Sequence, residues 1–452
     1  MSVWEVIRLT ANRCISYLLA ALPIATGFLY VHLFGVNVVY NDEWTLAARF
    51  YHPPSSFLTI SDFWDPHNQN RSFFPYVAIF VLASITKWNT VVEMYLGQVC
   101  LLGALIAMFV AFRLSVGPRP LIFVPVAFLV FSLVQYFNML YGYQLTFVFT
   151  ETFAVLTFFF LYLSGRRSVK RLVFPAALAS ATIAAFSAIQ GLLVWPAGLL
   201  QFFVAPLEKS EKKRLITGWS VFGLGVWIVY FIGYAQKLTN TSVFYPLAHP
   251  IIGFEYFLTL LGSSLVPSRL HSLALASGLL VASLIVVSLL VIYRSTEIGE
   301  YSFWIALVLF AVLVSMAITA GRSSTQHLPA SRYANFPVLA VASVYVILAK
   351  SALERRSRVT VAAFGVLLAI ILLTLPIAYY KGMKSGNIQE KRREWAAYVL
   401  YTYRSQPENC LKLVRKSNTQ SLQKFAPAVE NLGYNVFSGA RPHPPSNLRC
   451  PG

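Results

Sequence analysis

Asp42 and Glu43 stand side by side in the stretch "VVYNDEWTLAARF" (Val38–Phe50), directly after the first long apolar run of a chain with 17 acidic residues among 452. The chain has three aspartates, Asp42, Asp62 and Asp65, and all of them fall in the same short segment, which also holds His52, His67, Asn68, Asn70 and Arg71. A carboxylate beside a hydroxyl can take its proton, so Asp42 and Glu43 are candidate general bases. Two further segments carry separated cations: "LVPSRLHS" with Arg269 and His271, and "GRSSTQHLPASRYANF" with Arg322, His327, Arg332 and Tyr333. The planar fork of arginine suits phosphate oxygens. Together these residue types suit a substrate with a hydroxyl to activate and a phosphate to hold. Each also has an ordinary reading. Asn41 can cap a helix with acids in its first turn, and arginines can anchor a chain to lipid headgroups. The histidines lack the short spacing of a metal site, although the loop has enough oxygen ligands for Mg²⁺ or Mn²⁺.

The elements that must position these residues are membrane helices. With 57% hydrophobic residues, 12% charged residues and a mean hydropathy of +0.63, the chain is not a soluble globular protein. Apolar runs of about 20 residues each span a ~30 Å hydrocarbon core as a helix, and short alternating strands are not in view. The fold class is all-α, a polytopic bundle. About eleven spans are expected: Cys14–Val36, Asn89–Phe112, Pro120–Asn138, Tyr143–Leu163, Leu172–Gln190, Gly191–Val204, Leu215–Tyr234, Ser272–Tyr293, Tyr301–Ala320, Phe336–Ala349 and Val359–Tyr379.

The net charge of +19 is read as topology rather than as a nucleic-acid surface, because the basic links "GRRSVKR", "EKSEKKR" and "ERRSR" fall on one side of that count. The N-terminus is then cytoplasmic and the C-terminus outside. The parity holds only if Phe73–Ile85 and Ile251–Val266 do not cross. The organisation is a membrane domain over residues 1–380, with a first outer loop over 37–88, followed by an extracytoplasmic tail over 381–452. Cys14 and Cys100 lie in spans, so Cys410 and Cys450 are the one pair suited to a disulfide.

The stretch "WDPHNQNRSFFPYVAIF", followed by "YGYQLTFVF", "FSAIQGLLVWPAGLL" and "SRYANFPVL", resembles a pattern in bacterial GT-C membrane glycosyltransferases. An acidic pair opening a long first outer loop is part of the same resemblance. Such proteins commonly carry an HNEHR-type string where this chain has His67-Asn68-Gln69-Asn70-Arg71, without the glutamate, which leaves Asp42 and Glu43 as the acids.

The resemblance implies a polyprenyl-phosphate monosaccharide donor and a glycan or lipid acceptor. It also implies inversion at the anomeric carbon and a place in the cell envelope, at the bacterial inner membrane, in polysaccharide biosynthesis. Asp42 would be the base, with Glu43 its alternate. His67, Asn68, Arg71, Arg269, Arg322, His327, Arg332 and Tyr333 would hold the substrate and its phosphate. The alternatives are a lipid-linked polysaccharide polymerase or ligase, and a flippase or secondary transporter. Glu151, an acid in mid-span, is the residue that speaks for transport.

Overall fold

A computed structural model describes residues 3–50, 59–166, 170–234, 242–355, 357–416, 418–443 and 450; His52 lies outside them. Among these residues the regular secondary structure is all helical, with no strands and one isolated His67–Asn70 bridge. Nine helices among the described residues are long and apolar enough to cross a bilayer. They are Cys14–Phe34, Thr90–Ser115, Pro120–Met139, Gly142–Ser164, Lys209–Phe231, His271–Tyr293, Ile298–Arg322, Asn335–Glu354 and Arg358–Tyr401. The chain is a multi-pass membrane protein. In hydrocarbon every backbone N–H and C=O must be satisfied within the segment, and a helix does this locally.

Nine of the eleven expected spans coincide with these helices. The other two fall on shorter ones, Lys170–Ala185 and Val194–Val204, the latter extended by a 3₁₀ turn at Ile189–Leu193. Phe336–Ala349, short in sequence, belongs to a full helix over Asn335–Arg355. Its buried face runs to Lys350, whose ammonium reaches Ser115 O at 2.7 Å and Glu354 at 2.8 Å, so a charged residue lengthens the helix without breaking the packing.

The helix ends gather at two faces. At one, Thr90 N donates to Asn37 Oδ1 (3.0 Å), Asn138 Nδ2 to Arg332 O (3.0 Å), Ile189 N to Asn70 Oδ1 (3.0 Å) and Tyr234 OH to Gln69 O (2.8 Å). At the other, Trp304 Nε1 donates to Ser115 Oγ, and Arg166 binds Glu300 at 2.7 Å. Both ends of the helix Phe73–Thr86 meet the first face: Phe74 N donates to Phe186 O, and Lys87 O accepts from Asn435 N. This helix therefore lies along the face instead of joining the two.

The helix Pro250–Gly262 packs against the first half of His271–Tyr293 with no room for side chains at the crossing. A Cβ on Gly278 would stand 1.8 Å from Leu258 O, and one on Gly262 1.8 Å from Ala274 O. Small residues let the two backbones approach in this way. Gly278→Val should force them apart and cost on the order of 1–3 kcal/mol, read as a lower unfolding midpoint in detergent.

The tail is not a separate unit. The helix that begins at Arg358 continues through residue 380 to Tyr401, so it carries the chain out of the bundle without a break. Helices Glu408–Val414 and Thr419–Asn431 then fold back. Their apolar residues Leu411, Val414, Leu422 and Val429 share one core with Val39, Trp44, Tyr76 and Trp88 of the first loop. Asn435 ties the two together: Val39 N donates to its Oδ1 (2.9 Å), and its Nδ2 donates to Asn37 Oδ1 (2.8 Å) and Trp88 O (2.9 Å). Cys410 and Cys450 pair as a disulfide, with Cα atoms 5.0 Å apart.

Candidate active site

The stretch "NDEW" forms a 3₁₀ turn over Asn41–Glu43 that runs into the helix Trp44–Phe50. Asn41 adopts φ +50°, a conformation asparagine tolerates better than most residues. The turn sends the two neighbouring acids to different places. Asp42 keeps 44% of its side chain exposed, whereas Glu43 is fully buried.

Asp42 is held from both ends. Its backbone N–H donates to Tyr141 OH (2.9 Å), which in turn donates to Tyr40 O (2.8 Å). Its Oδ1 lies 3.6 Å from His67 Nε2, while His67 Nδ1 is 3.4 Å from Thr45 Oγ1. Burial alone would raise the Asp42 carboxyl. The nearby His67 ring and the guanidinium charges of Arg332 and Arg415 outweigh it and hold the group below the usual value. Asp42 is thus ionised at neutral pH, as a base must be.

Glu43 has an internal role. Its Oε2 accepts from Tyr40 N (2.8 Å) and its Oε1 from Tyr143 N (3.1 Å), closing the turn onto "YGY". Burial pushes its carboxyl up to about 8, against the lowering effect of those backbone donors and of Arg393. The folded state keeps this proton up to about pH 8, whereas the unfolded chain releases it near 4.5. The stabilisation from this group is therefore complete below 4.5 and is lost as the pH rises to about 8. The unfolding midpoint should fall over that window, and Glu43→Gln should flatten the dependence while lowering the plateau, because an amide cannot accept both N–H groups.

Beside Glu43 sits a second fully buried carboxylate, Glu93. Neither of its oxygens has a well-formed hydrogen bond, although the Trp88 indole stands next to it. Gly142 separates the two acids: a Cβ there would lie 2.1 Å from Glu93 Oε2 and 3.1 Å from Glu43 Oε1. The facing cation is Arg393, only 2% exposed. Its guanidinium is walled by the rings of Tyr40 (5.7 Å), Phe137 (6.0 Å) and Tyr141 (5.4 Å), and its Nε and Nη2 have no hydrogen-bond partner.

The expected binding residues divide into three groups. Arg332 and Arg269 line a cleft of about 590 Å³, together with Lys381 and Lys384 from the long helix and Ser268, Ser331 and Ser385. Arg332 donates to Tyr333 OH (3.2 Å), and its charge is one of those that lower the Asp42 carboxyl. Arg322 and Tyr333 line a second, mostly apolar cavity of about 310 Å³ with Leu192, Leu193, Trp227 and Phe231; there Arg322 donates to Gln69 Oε1 (3.2 Å). Asn68 and His327 are exposed and line neither cavity. Asn68 is the tip of the tight His67–Asn70 turn, at φ +53°.

Arg71 departs from the expectation. It is 1% exposed, and its guanidinium donates to Tyr230 O (2.6 Å), Trp64 O (2.9 Å) and Ile232 O. With all three nitrogens engaged, it closes the C-terminal end of the helix Lys209–Phe231 instead of offering its fork to a phosphate. Glu151 is fully buried, and its Oε2 accepts from Asn335 Nδ2 (3.0 Å). Among the described residues no three His, Cys, Asp or Glu side chains converge as a metal site would require.

Sequence reasoning passed over Glu93, Arg393, Arg415, Tyr141 as a support of Asp42, and the two lysines. Glu93 alone carried a local signal, an acid in the first turn of a span. No family model, curated protein or solved structure matches this chain.

Proposed function

We propose that this protein is a GT-C-like membrane glycosyltransferase. It moves a monosaccharide from a polyprenyl-phosphate donor to a hydroxyl of a surface glycan, on the extracytoplasmic side of a bacterial inner membrane. The observation that carries the reading is that Arg332, whose charge helps keep the half-exposed Asp42 ionised, lines a cleft together with Arg269, Lys381 and Lys384.

The acceptor hydroxyl gives its proton to Asp42 as its oxygen bonds to the anomeric carbon. The bond from that carbon to the phosphate oxygen breaks, and the electron pair leaves with the lipid phosphate. Arg332 and the cleft cations meet that charge, which is greater in the transition state than in the donor. A phosphate needs no acid to depart, so one base and a cationic cleft suffice. Attack opposite the leaving group inverts the anomeric centre. The apolar cavity beside Tyr333 offers the first isoprene units a seat.

The test is transfer of radiolabelled sugar from a panel of polyprenyl-phosphate sugars in membranes carrying the wild type or an empty vector. Transfer in the former alone is expected. No transfer with any donor, at normal protein level, would count against the reading and direct attention to transport in Glu151→Gln.

A further inference from the structure

The cleft holds more positive charge than the proposed donor needs. A sugar phosphodiester carries one negative charge, and one arginine can bind it bidentately. Arg332, whose charge reaches Asp42, can make that contact. Yet Arg269 also lines the cleft, and Lys381 and Lys384, three residues apart on one helix, share a helical face along it. The cleft lining includes no carboxylate, and among the described residues none of these four cations pairs with one. The hydroxyls of Ser268 and Ser331 add polar groups along the wall, although Ser268 already donates to Pro329 O (2.6 Å). Arg332 has Asp42 as a counter-charge, but Arg269, Lys381 and Lys384 share the cleft with none, and a bound polyanion would supply it.

We infer that the cleft accommodates two phosphoryl groups at once, the second lying over Lys381, Lys384 and Arg269. The two groups belong either to one lipid diphosphate or to a monophosphate donor and a phosphorylated acceptor. This rests on reading the cleft as the phosphate seat of the transfer site. Its test measures binding rather than transfer, so the two can fail separately.

The experiment is titration of the detergent-purified full chain with inorganic pyrophosphate and with inorganic phosphate, followed by ³¹P line broadening. Pyrophosphate should bind about tenfold more tightly than phosphate, and Lys384→Gln and Arg269→Gln should each remove about that factor. Both side chains are exposed, which suits the variants to folding. Equal affinity for the two anions, or pyrophosphate binding unchanged by either substitution, overturns the inference. In nanodiscs, polyprenyl diphosphate binding one per protein assigns both groups to one lipid. Two monophosphate lipids per protein divide them between donor and acceptor. Saturation by a single monophosphate lipid, with no preference for the diphosphate, overturns the inference as well.

Discussion

Asp42→Asn is expected to lower sugar transfer by about a thousandfold, within the range that removal of a positioned general base produces. The substitution leaves shape and most contacts in place. The backbone N–H of residue 42 still meets Tyr141 OH, and an amide oxygen can still face His67. What is lost is the capacity to take a proton. Protein level and unfolding midpoint should therefore stay close to wild type, and the loss should appear in kcat with donor KM little changed. Glu43→Gln should behave in the opposite manner, lowering stability while keeping measurable transfer, because Glu43 is buried and committed to two backbone donors. Radiolabel transfer in membranes, normalised to protein, separates the two. Transfer that survives Asp42→Asn would reduce "NDEW" to a helix entry and move the chemistry elsewhere.

The largest effect on folding is expected at Arg393. Replacing it with methionine keeps much of the aliphatic bulk but removes the buried cation that faces Glu43 and packs against Tyr40, Phe137 and Tyr141. Below about pH 8, where Glu43 keeps its proton, the loss is one of packing and costs about 1–3 kcal/mol; above it the stranded Glu43 charge brings the cost to about 3–5 kcal/mol. The loss should be greater at high pH, where Glu43 gives up its proton. The combined variant Arg393→Met with Glu43→Gln should lose less than the sum of the single changes, since the two side chains interact. Unfolding midpoints of the four proteins in detergent form the cycle. Strict additivity would show that Arg393 acts through packing alone.

How far the sequence spoke differs by type of information. Apolar runs of helical length located nine long helices, because hydrocarbon imposes the same backbone requirement on every span. Gly191–Val204 was already short in the sequence, whereas Leu172–Gln190 ran to span length there but its helix stops at Ala185, a difference composition does not record. The acids at 42 and 43 were visible by their scarcity. That one stays open while the other turns inward depended on Tyr143, 100 positions away. Arg71 looked like an anion ligand because an arginine near the interface reads that way. Its carbonyl partners at Tyr230 and Ile232 lie some 160 residues on, where no local pattern reaches. The cations of the tail were masked differently. Lys381, Lys384 and Arg393 sit in a mixed-charge stretch that reads as a solvated helix, and only the fold shows which of them turn inward.

The helix Arg358–Tyr401 sets an angle as well as a distance. At 44 residues it is roughly 66 Å long, more than twice a ~30 Å hydrocarbon core. It is gripped at two heights: Gly382 O accepts from Tyr30 OH (2.8 Å), and Arg393 lies against Tyr40 and Tyr141. Between those grips the helix works as an indexed shaft. One residue inserted after Gly386 would rotate everything beyond it by about 100° and swing the guanidinium off its aromatic wall, with the bundle untouched. Four residues would nearly restore the phase but lift the tail by about 6 Å. The length of this one segment, counted in residues, is thereby tied to whether the first loop and the tail can share a core.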